Sequence, residues 1–123
     1  MSMPFERRYL LPALRLVKEA AGETFRGEYK SLVQSFGALV LHSGLAQACG
    51  FLLAKGGSHH KRLLAHLVQL LQGTDRADDT QVETWYREML ASTQNEYRML
   101  TRQSLAAVQA LKRHAQALIE DEG

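Results

Sequence analysis

A stretch of 24 residues, from Ser31 to Ala54, carries no formally charged side chain. About 20 apolar residues are enough to span a bilayer, so the stretch has the length of a membrane helix. Polar residues recur through it, however, and glycines interrupt it: Gln34, Ser35, His42, Ser43 and Gln47, with Gly37, Gly44 and Gly50. Each such group left unpaired in hydrocarbon costs roughly several kcal/mol. The stretch therefore predicts core helices, and no membrane partner is expected.

Length and composition point to a helical protein. A chain of 123 residues fits one domain and can bury roughly two-thirds of its unfolded surface. Only two prolines interrupt runs of Leu and Ala at helical spacing. We expect an all-α fold, a single-domain bundle of about five to six helices over residues 1–123. Cys49 is the only cysteine, and Arg7, Arg8 and Pro12 interrupt any signal-peptide core, so a cytoplasmic location is expected.

Capping residues and apolar periodicity predict six helices. The expected N-terminal caps are Ser2, Thr24, Ser43, Ser58, Thr80 paired with Glu83, and Ser92 or Thr93. The expected stops are Gly22, Gly56-Gly57 and Gly73. Pro12 predicts a kink or a late start of the first helix. Inward-facing positions include Tyr9, Val17, Tyr29, Phe36, Leu63, Leu64, Leu67, Val68, Leu71, Val82, Trp85, Met89, Leu90, Ser104, Val108, Leu111, Ala115 and Leu118.

The segment LAQACGF, Leu45 to Phe51, is close to the opening of a DNA-reading helix-turn-helix. In that motif the glycine lies in the turn, and the next helix carries polar side chains to base edges. Here Gly50 is followed by FLLAK and two glycines, with no cap and almost no hydrogen-bonding groups. A helix that continues through Gly50 costs about 1 kcal/mol relative to alanine and directs Leu45, Ala48, Phe51 and Leu52 toward the core. We therefore favour one core helix over a DNA reader.

The charges are segregated along the chain. Residues 29–74 contain no acid but carry Lys30, Lys55, Lys61 and Arg62. Residues 75–96 carry six acids against two arginines, and residues 97–119 again contain no acid but carry Arg98, Arg102, Lys112 and Arg113. Two interpretations remain open: a dipolar molecule whose basic side follows a phosphate backbone, or a solvated surface with charges scattered by chance.

Two segments carry a family resemblance. EYKSLVQSFGALVLHSGLAQACGFLLAKGG, followed by YRMLTRQSLAAVQALKRHAQAL, resembles the small all-helical subunit of Cmr-type (type III-B) CRISPR RNA-guided effector complexes. The pattern runs from Tyr29 through Gly44-Leu45 and Phe51-Leu52 to Tyr97-Arg98, Thr101 and Lys112-Arg113-His114-Ala115, and so covers residues 28–118. The order and spacing of several moderate motifs carry the resemblance.

The resemblance implies a non-catalytic part of a ribonucleoprotein in antiviral defence. Copies would stack along the other Cmr-type subunits that bear the crRNA and would help to hold the target RNA by its phosphates. Stacking of copies requires unlike surfaces at the two ends, as the charge blocks suggest. The residues expected to bind the RNA backbone are Lys55, Lys61, Arg62, Arg98, Arg102, Lys112 and Arg113. A row of cations can follow phosphates without reading bases.

Metal and nucleophile chemistry find little support in the sequence. His59 and His66 lie seven residues apart, but no standard zinc-ligand spacing is present, so exposed histidines on a basic helix are the better interpretation. Cys49 fits a small buried residue better than a nucleophile. We expect no metal and no cofactor.

Two rival functions stay open. One is a small helical toxin-type ribonuclease or antitoxin-like adaptor, in which Arg62 and His66 would act from adjacent helical turns. The other is a purely protein-binding adaptor, in which the basic blocks would be incidental.

Overall fold

The computed structural model describes the backbone of residues 4–120 and the side chains of residues 7–120. Over this range the chain forms six α-helices, and no strand occurs among the described residues. They are α1 (Pro4–Ala21), α2 (Arg26–Ser43), α3 (Leu45–Lys55), α4 (Ser58–Gln72), α5 (Asp79–Leu90) and α6 (Gln94–Leu118). The predicted all-α fold of five to six helices is confirmed.

Helix α6 is the longest helix, with 25 residues, and packs against α1, α2 and α4. Its inner face carries small and aliphatic residues, namely Ser104, Ala107, Val108, Ala110, Leu111 and Ala115. Lys30, near the start of α2, donates to the Ile119 carbonyl just beyond α6 at 2.7 Å. The backbone N–H of Ala46, the second residue of α3 and so close to the end of α2, donates to the Tyr97 hydroxyl near the start of α6 at 2.9 Å. Helices α2 and α6 are therefore antiparallel.

Helix α3 runs through Gly50 without a break, as predicted, so no helix-turn-helix is present in this segment. A Cβ placed on Gly50 would lie 3.0 Å from the Tyr86 hydroxyl of α5. Glycine at this position therefore allows α5 to approach α3 closely, which offsets its low helix propensity. Leu45, Ala48 and Leu52 are buried as expected. The prediction for Phe51 is wrong, because 40% of that residue is exposed.

Several predicted caps are wrong. Thr24 lies two residues before α2, whose N-terminal flanking residue is Phe25, and Ser58 is the first residue of α4 rather than its cap. The capping box of α5 is formed by Asp78 and Gln81 instead of Thr80 and Glu83. The Asp78 carboxylate accepts from the Gln81 backbone N–H at 2.8 Å, and the Gln81 side chain accepts from the Asp78 N–H at 2.7 Å.

The predicted cap at the start of α6 is confirmed at Thr93. Its hydroxyl accepts from the Glu96 backbone N–H at 3.2 Å, while the Glu96 carboxylate accepts from the Thr93 N–H at 2.8 Å. Both interactions satisfy backbone donors that the first helical turn leaves unpaired. The stop at Gly73 is also confirmed, since this glycine takes the left-handed conformation at the end of α4.

The junction between α2 and α3 is built differently from the prediction. Ser43 belongs to α2, and the residue before α3 is Gly44, with φ of 90°. A side chain at this φ is strained, and a Cβ would lie 3.4 Å from the Tyr97 hydroxyl. No side chain of the junction caps α3. Instead the Tyr97 hydroxyl, from α6, accepts from the Ala46 backbone N–H.

The ends of the helices bring further corrections. Helix α1 begins at Pro4 and continues past Pro12, so the late start is wrong. Leu90 and Leu118 are exposed rather than inward-facing, and Ile119 is buried in place of Leu118. The cap predicted at Ser2 lies outside the described residues.

Among the helices that the structure describes, none combines the length and the unbroken apolar character needed to cross a bilayer.

Replacing Tyr97 with Phe should lower the free energy of unfolding by about 1 kcal/mol, because the Ala46 N–H loses its acceptor while the ring remains. Urea denaturation followed by circular dichroism measures this. Tyr86→Phe is the matched control, since within residues 4–120 the Tyr86 hydroxyl has no described hydrogen bond and its loss should change stability little. An equal cost for both variants would contradict capping by Tyr97.

Candidate nucleic-acid interface

Four basic residues form a row on the outer side of α6. With about 100° per residue, Arg98, Arg102, Lys112 and Arg113 fall within an arc of about 100° and extend along about 22 Å of helix. The buried positions of α6, such as Ala107 and Leu111, lie on the opposite side. Arg98, Arg102 and Arg113 are exposed, and Lys112 is half-buried. We call these four residues the α6 basic row.

The α6 basic row follows from the local sequence. Residues 97–119 contain no Asp or Glu, so every charge on the outer face of this part of α6 is positive. The amphipathic period of the helix turns all four side chains away from the core. The surface has the charge and the length to follow a polyanion.

Lys55 and Lys61 form a second basic group, at the turn between α3 and α4. Lys55 ends α3, Gly56 then takes the left-handed conformation, and Lys61 lies in the first turns of α4. Both lysines are exposed. The Lys55 ammonium lies 5.6 Å from the centre of the Phe51 ring.

Arg62 is engaged by two carboxylates. Its guanidinium lies 2.8 Å from a Glu23 oxygen and 3.4 Å from a Glu19 oxygen, and it also covers the Phe25 ring at 5.2 Å. The side chain is only 27% exposed. These contacts tie α4 to α1 and balance the charge of Arg62 within the protein.

His66 is buried, and the interpretation of it as an exposed histidine is wrong. It has no exposed surface, and both ring nitrogens are engaged. Nδ1 lies 2.7 Å from the Tyr29 hydroxyl, and Nε2 lies 3.0 Å from a Glu19 carboxylate oxygen. Because the carboxylate only accepts, Nε2 carries the proton and donates to Glu19, while Nδ1 accepts from Tyr29.

The surroundings keep both buried groups neutral. Burial lowers the pKa of His66 below its usual value, Arg62 and Arg15 lower it further, and the hydrogen bond and charge of Glu19 oppose this shift. Burial also raises the pKa of Tyr29 above its usual value. Tyr29 therefore remains a donor, and His66 remains a neutral imidazole at pH 7.

Other titratable groups show no assembled site. Within residues 7–120, no three His, Cys, Asp or Glu side chains come together as a metal site would require. Cys49 is buried, and its surroundings raise the pKa of the thiol to about 12. It therefore stays protonated and is a poor nucleophile.

The sequence did not reveal the partners of His66 and Arg62. Glu19 lies 47 residues from His66, and Glu23 lies 39 residues from Arg62. The absence of acids from residues 29–74 indicated a purely basic α4, but residues 1–28 supply the carboxylates. Residues 1–28 carry four acids against five cations, and these acids were the one feature of the sequence that could have indicated carboxylate partners for α4.

The same small helical bundle occurs among CRISPR-associated proteins. Residues 6–118 match the family described as "CRISPR-associated protein (Cas_Cmr5)". The "CRISPR system Cmr subunit Cmr5" of Thermus thermophilus is 38% identical over 109 residues, which cover 89% of this chain and 90% of that relative. The crystal structure of a CRISPR-associated Cmr5 family protein from Thermus thermophilus matches with a TM-score of 0.83 and 33% identity, covering 97% of this chain and 100% of that one.

The chain therefore belongs to the Cmr5 family of CRISPR-associated proteins. The resemblance to the small helical subunit of the Cmr-type complex is confirmed.

Acidification should destabilise the protein through His66. Its pKa is lower in the folded than in the unfolded chain, so the unfolded chain binds the extra proton as the pH falls below 6.5. The free energy of unfolding should fall as the pH drops from 6.5 toward the folded pKa of about 4, with a limiting slope of about 1.4 kcal/mol per pH unit for one proton. Urea denaturation at several pH values measures it.

His66→Gln should flatten this pH dependence, because the amide does not titrate. His42→Gln, at an exposed position of α2, is the matched control and should keep the slope of the unmodified protein. A slope that survives His66→Gln would assign the effect to other groups.

Proposed function

We propose that this protein is a non-catalytic structural subunit of a type III-B (Cmr) CRISPR effector ribonucleoprotein in the cytoplasm. Its partners are the other Cmr-type subunits and the backbones of the crRNA and the target RNA. The main support for the proposed RNA contact is the α6 basic row, which presents four cations on one outer face of a single helix. Family membership supports the place in the complex.

A helix is a suitable carrier for such contacts. The helical backbone fixes the spacing of the four cations, so a strand laid along α6 meets them in order. Each phosphate that is neutralised releases condensed counterions, and affinity therefore depends strongly on salt. Contacts to phosphates carry no sequence information, so binding through the row alone is independent of sequence. This suits a subunit whose complex takes its specificity from a guide RNA.

The surroundings of Arg62 and His66 weigh against the nuclease alternative. General acid–base catalysis requires an imidazole that can reach a substrate proton. The His66 ring has no exposed surface, and both its nitrogens are occupied by Tyr29 and Glu19. Arg62 is paired with Glu19 and Glu23. These residues are better explained as the structural link between α1, α2 and α4.

Two further surfaces suit stacking between copies. The outer face of α1 carries basic residues around an apolar centre, namely Arg7, Leu11, Leu14, Arg15 and Lys18. A cleft of about 540 Å³ between α5 and α6 has an apolar floor, which includes Trp85, Met89, Met99 and Leu100, and is bordered by Glu88 and Glu96. The two surfaces are complementary in charge and lie on different elements. A contact between unlike surfaces propagates along a filament rather than closing on itself.

The RNA contact is tested by Lys112→Glu combined with Arg113→Glu in the complex assembled with its other subunits and guide RNA. Loss of two phosphate contacts on a single strand should reduce the slope of log affinity against log salt by about 1.4 and weaken target binding roughly tenfold near 0.15 M salt. Fluorescence anisotropy of a labelled target RNA over a salt series measures both.

The matched control is Arg76→Glu with Arg87→Glu, which changes the net charge by the same amount within the acidic segment 75–96. It should leave the slope unchanged. If the two double variants behave alike, the effect comes from overall charge, and the α6 basic row is not the RNA contact.

Stacking is tested by Leu11→Asp, which places a charge at the apolar centre of the α1 face. Leu11 is 78% exposed, and Leu41 on α2 is 75% exposed, so Leu41→Asp is the matched control. Leu11→Asp should reduce the number of copies per assembled complex, measured by native mass spectrometry, and Leu41→Asp should not. An unchanged copy number with Leu11→Asp would exclude the α1 face as the contact.

A further inference from the structure

Phe51 is an exposed aromatic residue of α3, a helix whose Leu45 and Leu52 fill the core and whose Leu53 is exposed as well. The His60 ring makes an edge-to-face contact with the Phe51 ring, with ring centres 6.0 Å apart and ring planes at 81°. Lys55 lies one helical turn further on, with its ammonium 5.6 Å from the ring centre. The ring is thus held from two sides and still has 40% of the residue exposed.

The two neighbouring histidines are also held in place. His60 Nδ1 accepts from the Gly57 backbone N–H at 3.2 Å, so the proton of the neutral ring lies on Nε2. The His59 ring lies against it, with centres 4.0 Å apart and a tilt of 37°. Partial burial, His59 and Lys55 together lower the pKa of His60, which favours the neutral ring at pH 7. We call Phe51, Lys55, His59 and His60 the turn cluster.

The cations of the turn cluster and its neighbour Lys61 have no acid near them in the sequence, and the nearest carboxylate of the adjoining groove is that of Glu28. Residues 29–74 contain no acid, and within residues 7–120 neither Lys55 nor Lys61 forms a described ion pair. Here the Lys55 ammonium and the His60 ring lie beside a partly exposed aromatic residue, and Lys61 follows His60 in the chain.

A polar groove adjoins the turn cluster at His59. It has a volume of about 720 Å³ and is lined on the α2 side by the hydroxyls of Thr24, Ser31 and Ser35 and by the Glu28 carboxylate. Hydroxyls donate and accept, and a carboxylate accepts from a sugar hydroxyl. This lining suits ribose with its 2′-OH better than it suits an unaccompanied phosphate.

We propose that the turn cluster is a stacking site for an unpaired base of single-stranded RNA, an inference that rests on the proposed function of this chain as an RNA-binding subunit. The base stacks on the part of the Phe51 side chain that is left exposed, Lys55 and Lys61 contact the flanking phosphates, and the adjoining ribose enters the groove toward Ser31 and Glu28. Stacking on an aromatic side chain tolerates every base, because each base has a π face. The site therefore holds an unpaired nucleotide without selecting its sequence.

The test compares two probes with the full-length protein: a short adenine ribo-oligonucleotide, and an abasic oligonucleotide of the same length that keeps ribose and phosphate. Phe51→Leu retains apolar volume but removes the ring, and it should weaken binding of the adenine probe about tenfold while leaving binding of the abasic probe unchanged. Phe51→Trp should restore binding of the adenine probe. Leu53→Ala, at a residue of the same helix that is 43% exposed, is the matched control and should bind both probes as the unmodified protein does.

Equal loss on both probes, or the same loss for Leu53→Ala, would overturn the stacking site. If Phe51→Leu changes nothing while Lys112→Glu with Arg113→Glu weakens both probes, only this site fails and the α6 basic row stands. Absence of binding by the unmodified protein to either probe at millimolar concentration would overturn both proposals. Thermal unfolding of each variant, measured separately, shows whether the variant is folded at the temperature of the binding assay.

Discussion

The buried hydrogen bond between Tyr29 and His66 joins α2 to α4 in the interior, where neither residue has any exposed surface. Loss of either partner leaves a polar group unsatisfied, at a cost of about 1–3 kcal/mol. The other His66 nitrogen reaches Glu19 of α1, and Glu19 in turn contacts Arg62. One continuous set of contacts thus runs from the core to the surface, fixes α4 against two helices, and sets where the turn between α3 and α4 lies.

The position of α4 also determines how the basic residues are used. Arg62 points toward α1 and meets carboxylates, whereas Lys61, its neighbour in the chain, is exposed. Of the two adjacent basic residues, Arg62 therefore links α4 to the acids of the first block, and Lys61 contributes to the outer surface. The α6 basic row lies on a different helix and owes its exposure only to the amphipathic period of α6. The exposed cation on α4 and the α6 basic row therefore depend on different helices, so a substitution in one should not displace the other.

Local features of the sequence predicted the helices and the α6 basic row, since periodicity and the Thr93–Glu96 capping box depend on residues a few positions apart. The start of α5 was predicted wrongly because Asp78 with Gln81 and Thr80 with Glu83 are overlapping capping boxes, and the sequence alone does not rank them. The links from Glu19 to His66 and from Tyr97 to Ala46 join residues 47 and 51 positions apart, which spacing rules do not reach. The exposure of Phe51 was missed for a related reason, because the face of a short apolar helix is set by its neighbours.

The hydroxyl of Tyr97 has a consequence for biosynthesis. Helix α3 has 11 residues and no side-chain cap of its own, and an isolated helix of that length is marginal in water. The acceptor for its Ala46 N–H is translated 51 residues later. During synthesis, the Ala46 N–H therefore lacks this acceptor until the start of α6 has emerged from the ribosome.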